Sequence, residues 1–365
     1  MDDATRADGM VKGLARPGQE NRRRRAQEDR VTPRVRMADV ARLAKVAPAT
    51  VSRVLRRPDI VSEETRSRVL QAIRDLHYVP DMVAGSLASN RTGIVAMIVP
   101  TLTGSIFAET AAGTASVLRA RGYELLLGNS GYDAVEEEEL VKALLSRRPD
   151  GFILTGSQHT KGTRTMLRQA GIPVVETWEL PARPIDMAVG FDNRAAARAI
   201  IEFLASRGYR RIAMIARPAG TGTRNDQRIQ GYGDAVAALD LPDGLLFPSG
   251  EDSALRGGAV SIGLVLSARP RIDAVFCADD IHALGALFEC GRRGRSVPGD
   301  IALAGFGDFD VAAEATPSLT TVRVPGPDIG RRAAERVLAR LDGQATVEEP
   351  AVQDLGFAVI PRESA

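Results

Sequence analysis

Between residues 37 and 79 the apolar positions recur at helical spacing. Val40, Leu43 and Ala44 stand at i, i+3 and i+4 and predict a helix over 38–45, followed by a turn at Lys45-Val46-Ala47. A second helix should begin at Pro48, because a proline at the first helical position loses no hydrogen bond there. Val51, Val54 and Leu55 would form its buried side. "RRPDIVS" reads as a loop ending at Ser62 as an N-cap. Glu63 and Glu64 then sit in a first turn, where the helix dipole favours anions. Val69, Ala72, Ile73 and Leu76 continue the period in a third helix that "YVPD" stops. "DMVAGSLASN" (81–90) is long enough for one more short helix, too short to hold by itself and weakened by Gly85, so it should fold only against something.

From Ile94 the period changes. β-rich apolar runs ("GIVAMIVP", "YELLLGNS", "GFILTGS", "IPVVETW", "MAVGF", "RIAMIAR", "DAVFCADD", "IALAGFGD") alternate with helical stretches such as 105–121, 133–147, 194–207 and 256–267. Strands alternating with helices predict parallel sheets in an α/β architecture. About 270 residues exceed one doubly wound unit, so two similar halves are expected, with a break near "VGFDN" (189–193). Ligands in such sheets bind outside the carboxyl ends of the strands, which here would face a common cleft.

Composition narrows the classes. The chain has 365 residues, 44% of them hydrophobic, which fits a folded protein of two or three domains. No run approaches the ~18–20 apolar residues that cross a bilayer. The arginine-rich start carries no apolar signal core, so a cytoplasmic protein is expected. Cys277 and Cys290, the only cysteines, have no metal-ligand spacing and are expected to be reduced core residues. The net charge of +2 conceals a split. Residues 1–93 hold 19 Lys+Arg against 12 Asp+Glu, a net +7, while the remaining 272 hold 29 against 34, a net −5. A polyanion should therefore meet the head. Residues 1–33, with "NRRRR", lack periodicity and read as a disordered extension; a non-specific DNA-contacting arm and a segment unrelated to the fold both remain open.

Two helices joined by a tight turn, the second polar on its free side, form a helix-turn-helix, whose second helix enters the major groove with its N-terminal end towards the bases. The exposed set at 49, 52, 53 and 56 is Ala, Ser, Arg, Arg. Arg53 can donate two parallel hydrogen bonds to a guanine edge, worth ~1–3 kcal/mol against a wrong base. Ala49 can touch a thymine methyl. Thr50 and Ser52 suit phosphate oxygens, which fix position without reading sequence. Pro48 and Arg56 complete the expected DNA-facing set.

The string "MADVARLAKVAPATVSRVL", followed by "VSEETRSRVLQAIRDLHYVPDMVAGSLASNRTGIVAMIVP", resembles the lactose/galactose repressor family, and the similarity continues through "FCADDIHALGALFECGRRGRSVPGDIALAGFGD" and "PSLTTV". It covers roughly residues 34–360. The resemblance implies an α/β protein with a small all-α helix-turn-helix head and hinge helix, then a two-lobed periplasmic-binding-protein-like core of parallel sheets. The expected division is an extension over 1–33, the DNA-binding domain over 34–79, a hinge over 80–92 and an effector-binding and dimerisation core over 93–365. The lobes would be 93–191 with 323–345, and 192–322 with 346–365. Leu87 matches the family's leucine that wedges between central base pairs from the minor groove, at a cost of a few kcal/mol repaid by bent DNA. Two wedges need two chains, hence a homodimer on palindromic operator DNA. The sequence departs from the family at the turn: Lys45 replaces the usual glycine, where a positive φ would be strained, and Ala47 replaces the capping serine. Arg57 stands near the usual asparagine, and Gly85 replaces an arginine in the linker.

Carried over by resemblance, Arg228 is the ligand-binding arginine, Asp280 the acceptor for ligand hydroxyls, and Phe107, Phe191 and Ser253 line the cleft. Arg228 can pair bidentately with a carboxylate, and Asp280 as an acceptor suits hydroxyls. "PTLTGSIFAET", "GFILTGSQHT", "IPVVETW", "MAVGFDN" and "VFCADDIHALGALFECGRRG" are closest to the gluconate-operon repressor branch, which implies gluconate or a related sugar acid as the small-molecule effector. Thr155 and His159 would add hydroxyl partners; His159, a lone histidine on an expected loop, reads more readily as incidental. Trp178, the only tryptophan, either stacks on the carbon face of a ligand or fills core. No phosphate-cradling, nucleophile-elbow or metal-spaced motif is present, so neither an enzyme nor a cofactor or metal ion is expected. An exported solute-binding protein would share the core but lack the head. No leucine heptad follows "LGFAVIPRESA", so a dimer rather than a coiled-coil tetramer is expected.

Overall fold

Three short helices share one small core at the head of the chain: α1 (Met37–Ala44), α2 (Pro48–Arg56) and α3 (Glu63–Asp75). The computed structural model of the chain describes residues 35–79, 91–102, 105–242, 245–250, 253–268, 271–344 and 350–365. The expected extension over 1–33 and the linker segment 80–90, with Leu87, lie outside the described residues. Contacts divide the chain into two units between Gly85 and Ser86.

In the head, Val40, Ala41, Ala44, Val51, Val54, Val69, Ala72 and Tyr78 are buried together. Leu43 and Leu55, expected inside, are 50% and 36% exposed. Each lies one residue, about 100° around its helix, from the stripe that the two partner helices cover. So small a head cannot enclose a wider apolar arc. Asp39 accepts the backbone N–H of Arg36 at 2.9 Å and closes the start of α1. Lys45 ends α1 with φ 55° and ψ 47°, the left-handed conformation that a glycine would adopt without strain. Ala47 precedes α2 with no side-chain cap. Ser62 occupies the N-cap of α3, but its hydroxyl donates to Thr65 Oγ1 at 3.0 Å instead of capping the helix.

The second unit is built on two sheets. The first has the order β11-β5-β4-β3-β1-β2, all pairs parallel, from β1 (Ile94–Val99), β2 (Glu124–Asn129), β3 (Gly151–Thr155), β4 (Val174–Thr177), β5 (Met187–Gly190) and β11 (Val352–Asp354). The second is parallel with the order β7-β6-β8-β9, from β6 (Ile212–Ala216), β7 (Leu246–Pro248), β8 (Ala274–Cys277) and β9 (Ala302–Ala304). β10 (Thr321–Arg323) and β12 (Ala358–Ile360) pair antiparallel beside it. Helices α4 (Ser105–Ala120), α5 (Ala134–Leu145), α6 (Lys161–Ala170) and α12 (Gly326–Leu341) cover the first sheet. α7 (Asn193–Ser206), α8 (Thr223–Ala238), α9 (Ala254–Ser267), α10 (Asp280–Arg292) and the short α11 (Asp310–Glu314) surround the second.

β11 pairs with β5, so Val352–Asp354 belong to the first lobe. The expected division, which put 346–365 wholly in the second lobe, is corrected there: β5 offers an open edge in the first sheet, and only after filling it does the chain return to β12. The chain thus passes between lobes near residues 190–193, 323–326 and 354–358. α12 lies against α4 so closely that a Cβ on Gly330 would stand 2.0 Å from the Thr110 carbonyl oxygen.

On the outer face of the first sheet, His159 is held between two carboxylates. Its Nδ1 lies 2.6 Å from Glu137 Oε1 on α5 and its Nε2 3.5 Å from Glu176 Oε1 on β4. Burial opposes the charged ring, but hydrogen bonds to Glu137 and then Glu176 outweigh it and raise its pKa to about 9.

The head should gain stability from Lys45→Gly, since relieving a left-handed non-glycine residue returns about 1 kcal/mol, and from Ala47→Ser, whose cap is worth about 1 kcal/mol. Slower amide exchange in α1 and α2 is the readout. The His159 ion triad stabilises the first lobe fully below the ordinary histidine pKa of about 6.5 and ceases to do so as pH rises through about 9. The difference in melting temperature between wild type and His159→Gln should therefore shrink across that alkaline range.

Candidate ligand cleft and nucleic-acid interface

In the head, Pro48, Ala49 and Arg53 are exposed on α2, and Thr50 and Ser52 are half-buried. Val51 and Val54 turn the other side of the same helix into the core. The periodicity of α2 therefore separates an apolar anchor from a polar, cationic face. Arg53 forms no ion pair among the described residues and is left with its guanidinium in solvent. Arg56 closes α2; its side chain lies outside what is described.

In the second unit the carboxyl ends of both sheets point towards each other, and the side chains there are aromatic and charged. Phe107 and Trp178 meet edge to face at 5.3 Å, Trp178 and Phe191 at 5.9 Å, Phe191 and Phe306 at 6.1 Å, and Phe306 and Phe276 at 6.4 Å. This chain of rings runs from α4 in the first lobe, past the crossing at Phe191, to the strands of the second. Trp178 follows β4 with φ 74°, fixed by its N–H bond to Val189 (3.0 Å) and by Asn193 Nδ2 donating to its carbonyl (2.9 Å).

Two arginines, one turn apart on α8, stand on these rings. The Arg228 guanidinium lies 4.7 Å from the Phe306 centroid and that of Arg224 5.5 Å from Phe107. Arg228 donates to Asn193 Oδ1 at 3.3 Å, while its buried Nε has no partner. Burial, and then the neighbouring Arg224, lower its pKa to about 10, so it stays cationic at neutral pH. Arg224 reaches across to Glu179, just beyond β4, at 3.5 Å; Glu179 is 2% exposed and also accepts from the Ser157 hydroxyl. Gly156 makes room for this pair: a Cβ there would lie 2.9 Å from Arg224 Nη1. Arg217 of the second lobe lies 4.7 Å from the Tyr132 ring of the first.

Among the residues expected in the cleft, Phe107, Trp178, Phe191 and Arg228 are brought together. Thr155 ends β3 beside Thr177, buried, with an unpartnered hydroxyl. Trp178 Nε1 is likewise buried without a partner. Buried polar groups normally find partners; with Arg228 Nε, these are three unpartnered polar atoms among the cleft residues. Three other residues are placed differently. His159 is committed to Glu137 and Glu176. Ser253 is exposed at the start of α9. Asp280 is fully buried, and its oxygens accept from the Phe309 N–H (2.9 Å) and the Thr321 hydroxyl (2.6 Å). Burial, partly offset by those bonds, raises its pKa to about 6. These contacts make Asp280 a brace between α10 and the strap at β10. The preceding Asp279 instead caps α10 through the His282 N–H (2.8 Å), and His282 Nε2 lies 3.0 Å from Ser249 Oγ.

Sequence reasoning missed Phe306, Arg224, Glu179, Asn193, Tyr132 and Arg217. Arg224 had a signal, its place one helical turn before Arg228. Glu179 had a weaker one, a carboxylate directly after the tryptophan at a strand's carboxyl end.

The profile of bacterial regulatory proteins of the lacI family matches residues 36–81, and that of the periplasmic binding protein-like domain matches residues 201–365. The HTH-type transcriptional regulator GntR of Pseudomonas aeruginosa is 38% identical over 340 residues, covering 92% of this chain and 97% of that protein. The regulator of the same name in Escherichia coli K12 is 37% identical over 332 residues, covering 89% and 97%. A crystal structure of a lacI-family transcriptional regulator from Silicibacter pomeroyi, 32% identical, superposes with a TM-score of 0.83 over 90% of this chain and 99% of that one. The head with its free cationic helix and the two-lobed core are therefore parts of one DNA-binding transcriptional regulator, and the chain belongs to the lacI family.

Proposed function

We propose that this regulator is a repressor of sugar-acid catabolism genes, released from DNA by gluconate or a closely related sugar acid. It works as a cytoplasmic homodimer on a palindromic operator. The observation that carries the reading is the pair of cations on α8. Arg224 and Arg228 stand together in a mostly apolar cleft, Arg224 facing Glu179 and Arg228 under the pull of Asp279, which His282 also engages; a carboxylate ligand relieves the charge that remains. A neutral sugar leaves it in place.

In this reading Arg228 binds the acid through its open edge. A planar guanidinium suits a carboxylate better than an ammonium would. The unpartnered Thr155 hydroxyl and Trp178 Nε1 serve the ligand's hydroxyls, and the Trp178–Phe107–Phe191 rings take its carbon face. Arg224 of the second lobe has to be shared between the ligand and Glu179 of the first lobe. Sugar-acid binding therefore changes a contact that spans the cleft. That supplies the differential affinity for two lobe arrangements without which no ligand can shift a conformational equilibrium. In the head, Arg53 reads a guanine, Ala49 a thymine methyl, and Thr50 and Ser52 the phosphates.

Gluconate should raise the melting temperature dose-dependently, by the equivalent of about 2.7 kcal/mol at a concentration of ~100 Kd, while glucose should not. Arg228→Gln should abolish the shift and Arg228→Lys weaken it. Equal stabilisation by glucose would remove the charge argument. In electrophoretic shifts, Arg53→Ala should lose ~1–3 kcal/mol of preference for operator over altered DNA while keeping the gluconate response. An unchanged preference would take the reading role away from that side chain.

A further inference from the structure

The parallel first sheet collects all its strand amino ends on one edge, and that edge is rich in arginine. Arg91 precedes β1, Arg119 and Arg121 precede β2, Arg147 and Arg148 precede β3, Arg168 ends α6 before β4, and Arg340 ends α12. Against these seven cations the described residues of the edge supply four carboxylates: Glu124, Asp150, Asp186 and Asp342. The excess runs against the composition of the core, since residues 94–365 together are net negative. Helix dipoles favour a cation in a last turn, which accounts for Arg119, Arg168 and Arg340 but not for Arg121, Arg147 or Arg148, which lie beyond their helices.

The carboxylates do not neutralise the patch evenly. Asp342 pairs with Arg91 and Arg121, and Asp186 with Arg340. Asp150 is turned inward, accepting the N–H groups of Thr92 and Gly93 at 2.7–3.0 Å. Arg119, Arg147, Arg148 and Arg168 are exposed and form no ion pair among the described residues. On the corresponding edge of the second lobe, Arg271 pairs with Asp300 and both Arg292 and Arg293 with Glu289, while Arg207, Arg210 and Arg295 are exposed and form no ion pair among the described residues; what sets the first lobe's edge apart is that the chain from the head enters there. Arg168 and Arg340 share one groove of about 530 Å³ with Asp186.

The edge is also where the polypeptide coming from the DNA-binding head enters the core. The Thr92 hydroxyl donates to the Arg148 carbonyl at 2.9 Å, so the turn that carries Arg147 and Arg148 is fastened to the first residues of the core. We propose that this amino edge of the first lobe is a second, sequence-independent DNA surface. Its four unpaired arginines contact phosphates flanking the operator that the head reads. Phosphate is the matching chemistry: Arg119, Arg147, Arg148 and Arg168 are exposed guanidiniums spread along an edge rather than gathered into one site, as suits a repeating anion. The edge adds affinity and salt dependence and no base preference.

The test uses the full chain and an operator obtained by selection from random duplexes. One duplex is trimmed to the bases the head protects; another is extended by about 15 base pairs on each side, roughly 50 Å. Wild type should bind the extended duplex more tightly and with a steeper salt dependence. Two flanking phosphate contacts would add about two to the log–log slope, and so an extra loss of about tenfold between 50 and 200 mM salt. The variant with Arg119, Arg147, Arg148 and Arg168 all changed to Gln should bind the trimmed duplex as wild type does, melt at the same temperature, and lose the added slope. The variant with the same four changed to Lys should retain it, since point charges still meet phosphates. The proposal is overturned if the Gln variant keeps the wild-type slope on the extended duplex, or if the Lys variant loses it too. Loss of binding to both duplexes, with the Lys variant intact, would place these arginines in recognition of the operator itself and overturn a flanking role.

Discussion

Like charges one helical turn apart repel, and yet α8 carries both Arg224 and Arg228 into the space between the lobes. Their persistence there depends on the groups around them: two aromatic faces, the Asn193 amide oxygen, and Glu179 reaching from the opposite lobe. None of these neutralises Arg228 fully, and its Nε remains without an acceptor. Asp279, the carboxylate with the largest pull on Arg228, is shared with His282, so the guanidinium keeps room for a further anion. A site in that condition discriminates by charge before it discriminates by shape, because every neutral ligand leaves the desolvated cations no better paired than before.

The head shows a related economy at the level of the backbone. Its reading helix is anchored by two valines and begins without a side-chain cap, after a turn whose left-handed residue has a Cβ. Both features lower the stability of the element that must meet DNA, so bound DNA contributes a correspondingly larger share of its order. The exposed Leu43 and Leu55 belong to the same picture: the head is too small to cover them.

Much of the architecture was legible in the sequence because it is periodic. The change at Ile94 from a 3.6-residue to a strand-and-helix rhythm marks the boundary that contacts also find at the linker, and the parallel sheets follow from that alternation. Boundaries set by long-range pairing were not legible. Nothing local in "AVQDLGFAVI" tells that Val352–Asp354 complete the first sheet while Ala358–Ile360 return to the second, since both are three-residue runs too short to carry a period that points to one sheet or the other. In the cleft, Phe107, Phe191 and Arg228 were assigned by resemblance, and the structure brings them together with Trp178. His159 misled because a histidine on a strand-end loop looks the same whether it faces a ligand or a carboxylate from α5. Ser253 and Asp280 were assigned by resemblance, and their surroundings could not be read from the chain: open solvent for one, two protein donors for the other. Glu179 and Arg224 become meaningful only as a pair, 45 residues apart, which a linear reading does not join.

The placement of β11 and α12 has a consequence for how the molecule comes into being. The first lobe begins at Ile94, but its outer strand and one of its covering helices come from residues 326–354, after all of the second lobe except β12 and the residues that follow it has been made. During synthesis the open side of β5 and the apolar face of α4 stay uncovered while more than a hundred residues leave the ribosome. Most of the second lobe can thus fold before the first lobe is complete, and the earlier part of the chain has to be kept from pairing with other nascent strands until its missing pieces arrive.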